Sequence, residues 1–244
     1  MRKLTYYEFN LKRKKEPKTN WKCYKFNELG VFIYNVKLHL KKLRIIIKTM
    51  GEYLFPIEKV TSYFKNINSK EDLQKFIQQR SAHITQNTLY GYLKTRMGHK
   101  FTIMVDDDVF SKSINIAKWN IYMAALTDFT FYVFSYLMNE KNLKENDSRE
   151  IFLNIIDREK ENGLSEEIYN KAKENFLKRY EKIDFNKYYI NDPFKESCAA
   201  LYHWSPVADD LKILDKKIVL NSMSLKWNLI VEEFNNLTKK LIFN

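Results

Sequence analysis

The stretch Ile114–Met138 reads INIAKWNIYMAALTDFTFYVFSYLM and carries only two charged residues, Lys118 and Asp128. Apolar side chains cover nearly every face of a helix drawn through it, which is typical of a helix buried at the centre of a bundle. The two charges interrupt the run, so no uncharged segment reaches the roughly 18 residues of a membrane-spanning helix. We therefore expect a core helix from about Ser111 to Glu140, around which other helices pack.

The composition of the whole chain also favours helices. Its 244 residues include only five Gly and four Pro, and they are 45% hydrophobic and 30% charged. Collagen-like and low-complexity proteins need the glycine and proline that are missing, and the apolar content excludes a mainly disordered chain. The sequence predicts an all-α fold, a bundle of about six to eight helices with a long C-terminal helix and a basic N-terminal arm.

Residues at helix caps indicate where these helices begin and end. Ser69 and Asp72 have capping-box spacing and open a helix that closes before Gly98. The three aspartates at 106–108 precede the core helix, where they favour the positive end of its dipole. Further helices are predicted to begin after Asp147, after Ser165, at Asp192-Pro193 and at Ser205-Pro206. We interpret residues 1–26 as an arm and residues 27–244 as one helical domain.

Positive charge is concentrated near the N-terminus. Residues 1–52 hold 14 Lys or Arg and 4 Asp or Glu, a net charge of +10 out of +12 for the whole chain. An amphipathic helix is predicted from Asn27 to about Leu54, with a basic ridge beside its apolar stripe. The predicted binding residues are Lys12, Arg13, Lys14, Lys15, Lys37, Lys41, Arg44 and Lys48. Such a region suits a polyanion, although a coding bias toward lysine would produce the same composition.

The two cysteines, Cys23 and Cys198, lie far apart and cannot form a disulfide framework, which favours a reducing compartment. The N-terminal residues are charged throughout and have no apolar core of a secretory signal. We expect a location in the cytoplasm or an organelle matrix, with peripheral contact to a membrane left open.

Signatures of several enzyme classes are missing from the sequence. The glycines at positions 30, 51, 91, 98 and 163 form no GxGxxG, GxxxxGK[ST] or GxSxG motif. HExxH, CxxC and EF-hand patterns are also missing, so we predict no cofactor and no metal. His83 and His99 with the three aspartates at 106–108 offer metal-ligand chemistry, but these aspartates are better explained as helix N-terminal residues.

The densest polar block spans residues 78–100. On a helix, its polar side chains and Gly91 recur on one side at steps of three and four. The candidate polar site consists of Arg80, His83, Asn87, Tyr90, Lys94 and Asp128. The alternative, which we favour, is that Gly91 lets two helices touch while the polar groups hydrogen-bond across the bundle.

Asp128 stands alone as a carboxylate in the most apolar stretch of the chain. A buried carboxylate without a partner is costly, so we expect it to pair with an arginine. Arg80 and Arg96 are the predicted partners. Such a pair is more often a structural tie than a catalytic group.

The last helix carries an apolar seam at steps of three and four. Its members are Leu220, Met223, Trp227, Ile230, Phe234, Leu237 and Leu241. The seam suits packing inside the chain's own bundle, which we favour, or an interaction with a second helix of a partner. An upstream apolar set, Val207, Leu211, Leu214 and Ile218, is out of phase with it.

Three segments resemble an uncharacterised bacterial family of small all-helical proteins. They are RSAHITQNTLYGYLKTRMG (80–98), SINIAKWNIYMAALTDF (113–129) and DPFKESCAALYHWSPVADDLKILDKKIVLNSMSLKW (192–227). The resemblance covers roughly residues 57–227 and implies a helical fold. It implies no activity, cofactor or site residue.

Three functions are consistent with these observations. We favour a non-catalytic accessory or assembly protein that docks through its basic N-terminal region onto a large protein complex or an anionic membrane surface. The alternatives are an RNA-binding, ribosome-associated protein and a small-molecule enzyme with a polar site in the 80–98 helix. The sequence does not predict the oligomeric state.

Overall fold

The computed structural model describes residues 66–104 and 106–239. These residues form six helices of ten or more residues, one short helix and no strand, which confirms the all-α bundle for this part of the chain. The helices are α1 (Lys70–Met97), α2 (Lys100–Met104), α3 (Asp108–Glu140), α4 (Ser148–Glu159), α5 (Glu166–Tyr180), α6 (Lys195–Trp204) and α7 (Asp209–Thr238).

The two ends of α1 follow from local sequence, as predicted. The Ser69 hydroxyl accepts a hydrogen bond of 3.1 Å from the Asp72 N–H, and the Asp72 carboxylate accepts one of 3.2 Å from the Asn68 N–H. At the other end, Gly98 adopts a φ of 55° and donates its N–H to the Lys94 carbonyl. A left-handed residue of this kind closes a helix at little steric cost when it is glycine.

The helix α3 begins where its acidic cap lies. The Asp107 carboxylate accepts a hydrogen bond of 2.8 Å from the Phe110 N–H. Among the described residues α3 is the one helix long and apolar enough to cross a membrane, but 83% of its most apolar 18-residue window is buried inside the bundle. The prediction of a core helix is confirmed by this burial.

Two other predicted caps have different outcomes. Ser165 caps α5, since its hydroxyl accepts a hydrogen bond from the Ile168 N–H at 3.4 Å. Asp147 makes no cap bond at α4, and the side chain of Asn146 accepts from the Ser148 N–H at 3.2 Å instead. The Asp147 carboxylate instead lies 3.1 Å from the ammonium of Lys70 on α1.

Two helices were predicted to start at Asp192-Pro193 and at Ser205-Pro206, and both predictions were wrong by two to four residues. In the structure α6 begins at Lys195 and α7 at Asp209. The N–H of Lys195 donates to the Asp192 carbonyl across a turn, so Pro193 lies before the helix. Ser205 donates its hydroxyl to the Leu201 carbonyl at 2.6 Å. Ser205 therefore closes α6 and does not open α7.

The core surrounds α3, which packs against α1, α4, α5 and α6, while α7 covers α1 and α6. An aromatic cluster holds these layers together at Phe129 of α3. Its ring centroid lies 5.9 Å from that of Phe76, 5.2 Å from that of Trp227 and 6.3 Å from that of Phe234. The α7 side chains Trp227 and Phe234 are fully buried here.

Candidate functional site

Part of the polar face of α1 lies against α7. Three polar contacts tie the antiparallel helices along their length: Arg80 Nε with Glu233 at 2.7 Å, Lys226 Nζ with the Asn87 carbonyl at 2.9 Å, and Arg96 with Asp215. The Tyr92 hydroxyl also donates to Asp215 at 2.9 Å. These contacts are the cross-bundle hydrogen bonds that buried and half-buried polar groups need.

The predicted glycine gap at Gly91 faces a lysine of α7. A Cβ added to Gly91 would lie 4.0 Å from Lys226 Nζ, which is ordinary van der Waals contact. Burial lowers the pKa of Lys226. The gap therefore accommodates the end of a lysine side chain.

The remaining residues of the candidate polar site point in other directions. His83 Nε2 lies 2.8 Å from the side-chain nitrogen of Asn87. Tyr90 and Lys94 lie beside the ring of Phe101 in α2, at 6.1 Å between centroids for Tyr90 and 6.0 Å from Lys94 Nζ. Burial raises the pKa of Tyr90. The structure does not bring these α1 residues together with Asp128.

Asp128 pairs with an arginine that the sequence did not suggest. Its carboxylate is fully buried and accepts a hydrogen bond of 2.7 Å from Arg179 Nη2 on α5. The prediction of Arg80 or Arg96 was wrong, because those arginines pair with carboxylates of α7. The second carboxylate oxygen of Asp128 accepts a 2.7 Å hydrogen bond from the Ser197 N–H of α6.

The electrostatics of this pair reflect its burial. Loss of water raises the pKa of Asp128, and the Arg179 guanidinium and the Ser197 N–H act against that rise. Burial also raises the pKa of the adjacent Tyr188 hydroxyl, and the Asp128 charge adds to the rise. We infer an ionised pair, since two charge-assisted hydrogen bonds of 2.7 Å stabilise the carboxylate.

The Asp128 network continues into α7 through Ser197. The Ser197 hydroxyl accepts a hydrogen bond of 3.1 Å from the indole N–H of Trp227. The Tyr188 hydroxyl donates to the Pro193 carbonyl at 2.6 Å. The carboxylate thus joins α3, α5, α6 and α7, and its geometry is that of a structural tie.

The part of the chain that the structure describes contains no cluster of metal ligands. No group of three or more His, Cys, Asp or Glu side chains in residues 66–104 and 106–239 is arranged to hold a metal ion.

The apolar seam of the last helix lies inside the bundle over most of its length. Met223, Trp227, Ile230 and Phe234 are buried, and Leu220 and Leu237 pack against the same core while half-buried. Leu241 lies outside the described residues. The four buried side chains have no surface left for a partner.

A second apolar stripe on α7 remains exposed. Leu211, Leu214, Ile218, Leu225 and Leu229 recur at steps of three, four and seven, which places them on one face of the helix. Their exposed fractions are 38%, 75%, 68%, 65% and 67%. The first three were predicted from the sequence to be out of phase with the seam, and Leu225 and Leu229 extend their row. We call these five residues the outer stripe.

The predicted basic binding residues lie outside the described residues. These are Lys12, Arg13, Lys14, Lys15, Lys37, Lys41, Arg44 and Lys48, together with the predicted amphipathic helix of residues 27–54. Their role stays a prediction.

Comparison of the chain with models of known families, with curated proteins and with solved structures gives no match. The resemblance to an uncharacterised helical family therefore gains no support.

Proposed function

We propose that this chain is a non-catalytic accessory or assembly protein, and that the outer stripe of α7 is where it binds a partner protein. The observation that carries the proposal is the row of exposed leucine and isoleucine side chains on a helix whose opposite face is fully packed. Soluble monomers rarely expose contiguous apolar patches larger than about a few hundred Å², and patches above that size commonly mark interaction sites.

The dimensions of the outer stripe suit a helix in the partner. From Leu211 to Leu229 a helix rises about 27 Å at 1.5 Å per residue. A partner helix with apolar residues at positions i, i+3, i+4 and i+7 would match this row. Helix-on-helix packing brings such axes to about 8–10 Å from each other.

The charge of α7 favours a protein over an anionic membrane as the occupant of the outer stripe. Between Asp209 and Thr238 the helix has four lysines and five carboxylates. Helices that lie on anionic lipid surfaces are rich in Lys and Arg on their polar face. Polar residues of both charges beside an apolar row are instead common at the rim of protein interfaces.

The rest of the molecule supports a binding role. Arg80 and Asp128, from the candidate polar site, are held in ion pairs between helices. We keep the basic N-terminal region as a second predicted contact, with a complex, a membrane surface or RNA. Cys198 is a buried free thiol, which is consistent with the reducing compartment that we propose.

Site-specific photo-crosslinking tests the proposal. A photoreactive residue is placed at Leu214 or Leu225 of the outer stripe, or at Ile213, which is 67% exposed on another face of the same helix. After irradiation in native cells, mass spectrometry identifies the crosslinked peptides. We expect one partner segment to be crosslinked from both stripe positions and not from position 213.

A binding measurement with the identified partner completes the test. We expect the double variant Leu214→Gln/Leu225→Gln to bind at least about tenfold more weakly, since two apolar contacts are lost. Ile213→Gln should bind like the wild type, and both variants should keep the wild-type circular dichroism. Equal crosslinking from all three positions, or crosslinks only to a second copy of this chain, would contradict the proposal.

A further inference from the structure

A groove opens between α3, α5 and α6. Its volume is about 690 Å³, within the usual range for sites that hold small molecules. Small side chains leave this space, as Ala124, Ala172, Ala199 and Ala200 all line it. The groove is therefore a consequence of small residues on three neighbouring helices.

One face of α5 supplies positive charge to the groove. Lys171, Asn175 and Arg179 follow each other at steps of four and all line it. Lys171 has no carboxylate partner among the described residues, and its ammonium lies 5.3 Å from the ring centroid of Trp204. A lysine held beside an aromatic ring at one end of a groove presents both a charge and a flat surface to a ligand.

Arg179 has hydrogen-bond donors to spare. Only its Nη2 atom bonds within the described residues, to Asp128 at 2.7 Å and to the Tyr188 hydroxyl at 3.1 Å. A guanidinium has five N–H donors, so those on Nε and Nη1 remain for another acceptor. The Asp128 contact fixes the orientation of the guanidinium, and 31% of the side chain stays exposed.

A second groove of about 410 Å³ also has Arg179 in its lining. Lys182 and Lys187 line it, and neither has a carboxylate partner among the described residues. Across both grooves the lining includes five basic side chains and two carboxylates, Glu196 and Asp184. The path from Lys171 through Arg179 to Lys187 is thus suited to an anion longer than a single phosphate.

We propose that the two grooves, which share Arg179, together bind a phosphate-bearing ligand with a flat ring, which is the chemistry of a nucleotide. The ring lies at the end formed by Tyr202 and Trp204, where aromatic side chains stack on bases. The first phosphate meets Arg179, and further phosphates extend toward Lys182 and Lys187. A free nucleotide and a nucleotide unit of single-stranded RNA present this same chemistry.

Binding of defined probes to the full chain tests the inference. The probes are ATP, pyrophosphate and a ten-nucleotide oligouridylate, measured by isothermal titration calorimetry at fixed salt. We expect ATP or the oligouridylate to bind at least tenfold more tightly than pyrophosphate, because only the first two have a ring. Tighter binding of ATP would assign the site to free nucleotides, and tighter binding of the oligouridylate would assign it to RNA.

Matched variants separate the grooves from the general positive charge of the chain. Lys171→Gln/Lys182→Gln/Lys187→Gln removes three charges from the grooves and should weaken binding at least tenfold. Lys144→Gln/Lys173→Gln/Lys217→Gln removes three charges from exposed lysines outside the grooves and should change binding less than threefold. Any contribution of the basic N-terminal region is the same in both variants.

The ring contact has its own variant. Trp204→Leu should lower the affinity for the ring-bearing probe and leave the affinity for pyrophosphate unchanged. Trp204→Phe should keep part of the affinity for the ring-bearing probe. The inference is overturned if no probe binds at millimolar concentration, if both triple variants lose affinity equally, or if pyrophosphate binds as tightly as ATP and the oligouridylate.

Discussion

Arg179 donates a 2.7 Å hydrogen bond to Asp128, a fully buried carboxylate that lies 51 residues earlier in the chain. The pair joins α5 to the core helix α3, and the Ser197 N–H brings α6 to the same carboxylate. The contact orients the guanidinium of Arg179, which lines both grooves. One pair therefore serves both the packing of the bundle and the lining of the two grooves.

Removing Arg179 should destabilise the fold. In Arg179→Met the Asp128 carboxylate stays buried without its cation, and breaking such a pair typically costs about 3–5 kcal/mol. Because 31% of the Arg179 side chain is exposed, we expect a smaller loss of about 2–3 kcal/mol in the free energy of unfolding. Urea denaturation measures it. The double variant Asp128→Asn/Arg179→Met should be more stable than the single variant, and equal stability of the two would contradict a charge effect.

Two neighbouring positions on α7 should respond differently to truncation. Phe234 is fully buried and Leu229 is 67% exposed. Phe234→Ala should lower the free energy of unfolding by about 3–5 kcal/mol, because it leaves a cavity in the aromatic cluster. Leu229→Ala should change it by less than about 0.5 kcal/mol. Thermal and urea unfolding check both values, and a large loss for Leu229→Ala would show that the outer stripe is packed within the chain.

Alkaline pH should weaken the fold through Cys198. Burial raises the pKa of its thiol from an ordinary 9.0 to about 12, and the nearby charges of Asp128 and Asp192 add to the rise. With the folded pKa above the unfolded one, the contribution to stability is full below pH 9.0 and is lost as the pH rises toward about 12. Ionisation of this one thiol can lower the free energy of unfolding by at most about 1.4 kcal/mol per pH unit.

The contribution of Cys198 is the difference in the pH dependence of stability between the wild type and a variant without the thiol. Wild type and Cys198→Ala are unfolded in urea at several values between pH 8 and pH 11, and the variant should show the shallower decline, because it has no thiol to ionise. Tyrosines titrate alike in both proteins. Parallel curves would show that the thiol ionises as readily in the folded protein as in the unfolded chain.

Replacement by alanine should have opposite effects on stability at Gly91, inside α1, and at Gly98, which follows its last residue. Gly98 has a φ of 55°, so Gly98→Ala should lower stability by about 1 kcal/mol. Gly91 lies inside the helix with only Lys226 Nζ near its missing Cβ, at 4.0 Å. Gly91→Ala should raise stability by about 0.5–1 kcal/mol. Melting temperatures compare the two, and a destabilised Gly91→Ala would indicate that α1 and α7 need closer contact there.

The helices with local signals were predictable from the sequence. Ser69, Gly98 and Asp107 interact with backbone groups a few residues away, so their effects can be recognised from spacing alone. The start of α7 was mispredicted because Ser205 bonds backward to Leu201. A serine before a proline suits either end of a helix, and only the packing of α6 decides between them.

The candidate site was less predictable, for a reason visible at Asp128. The sequence shows that a buried carboxylate needs a cation, but several arginines satisfy that need. Arg179 lies on α5 among exposed polar residues and has no local mark that separates it from Arg80 or Arg96. The groove was missed for the same reason, since Lys171 of α5 and Trp204 at the end of α6 come together only in the folded chain.

The two apolar rows of α7 show where local pattern stops being sufficient. Both the buried row through Met223 and Trp227 and the exposed row through Ile218 and Leu225 repeat at helical spacing. Periodicity alone establishes that this segment is a helix with apolar faces. Which face turns inward depends on the rotation of α7 about its axis, and that rotation is set by the fit of Trp227 and Phe234 against side chains distant in the chain, such as Phe129.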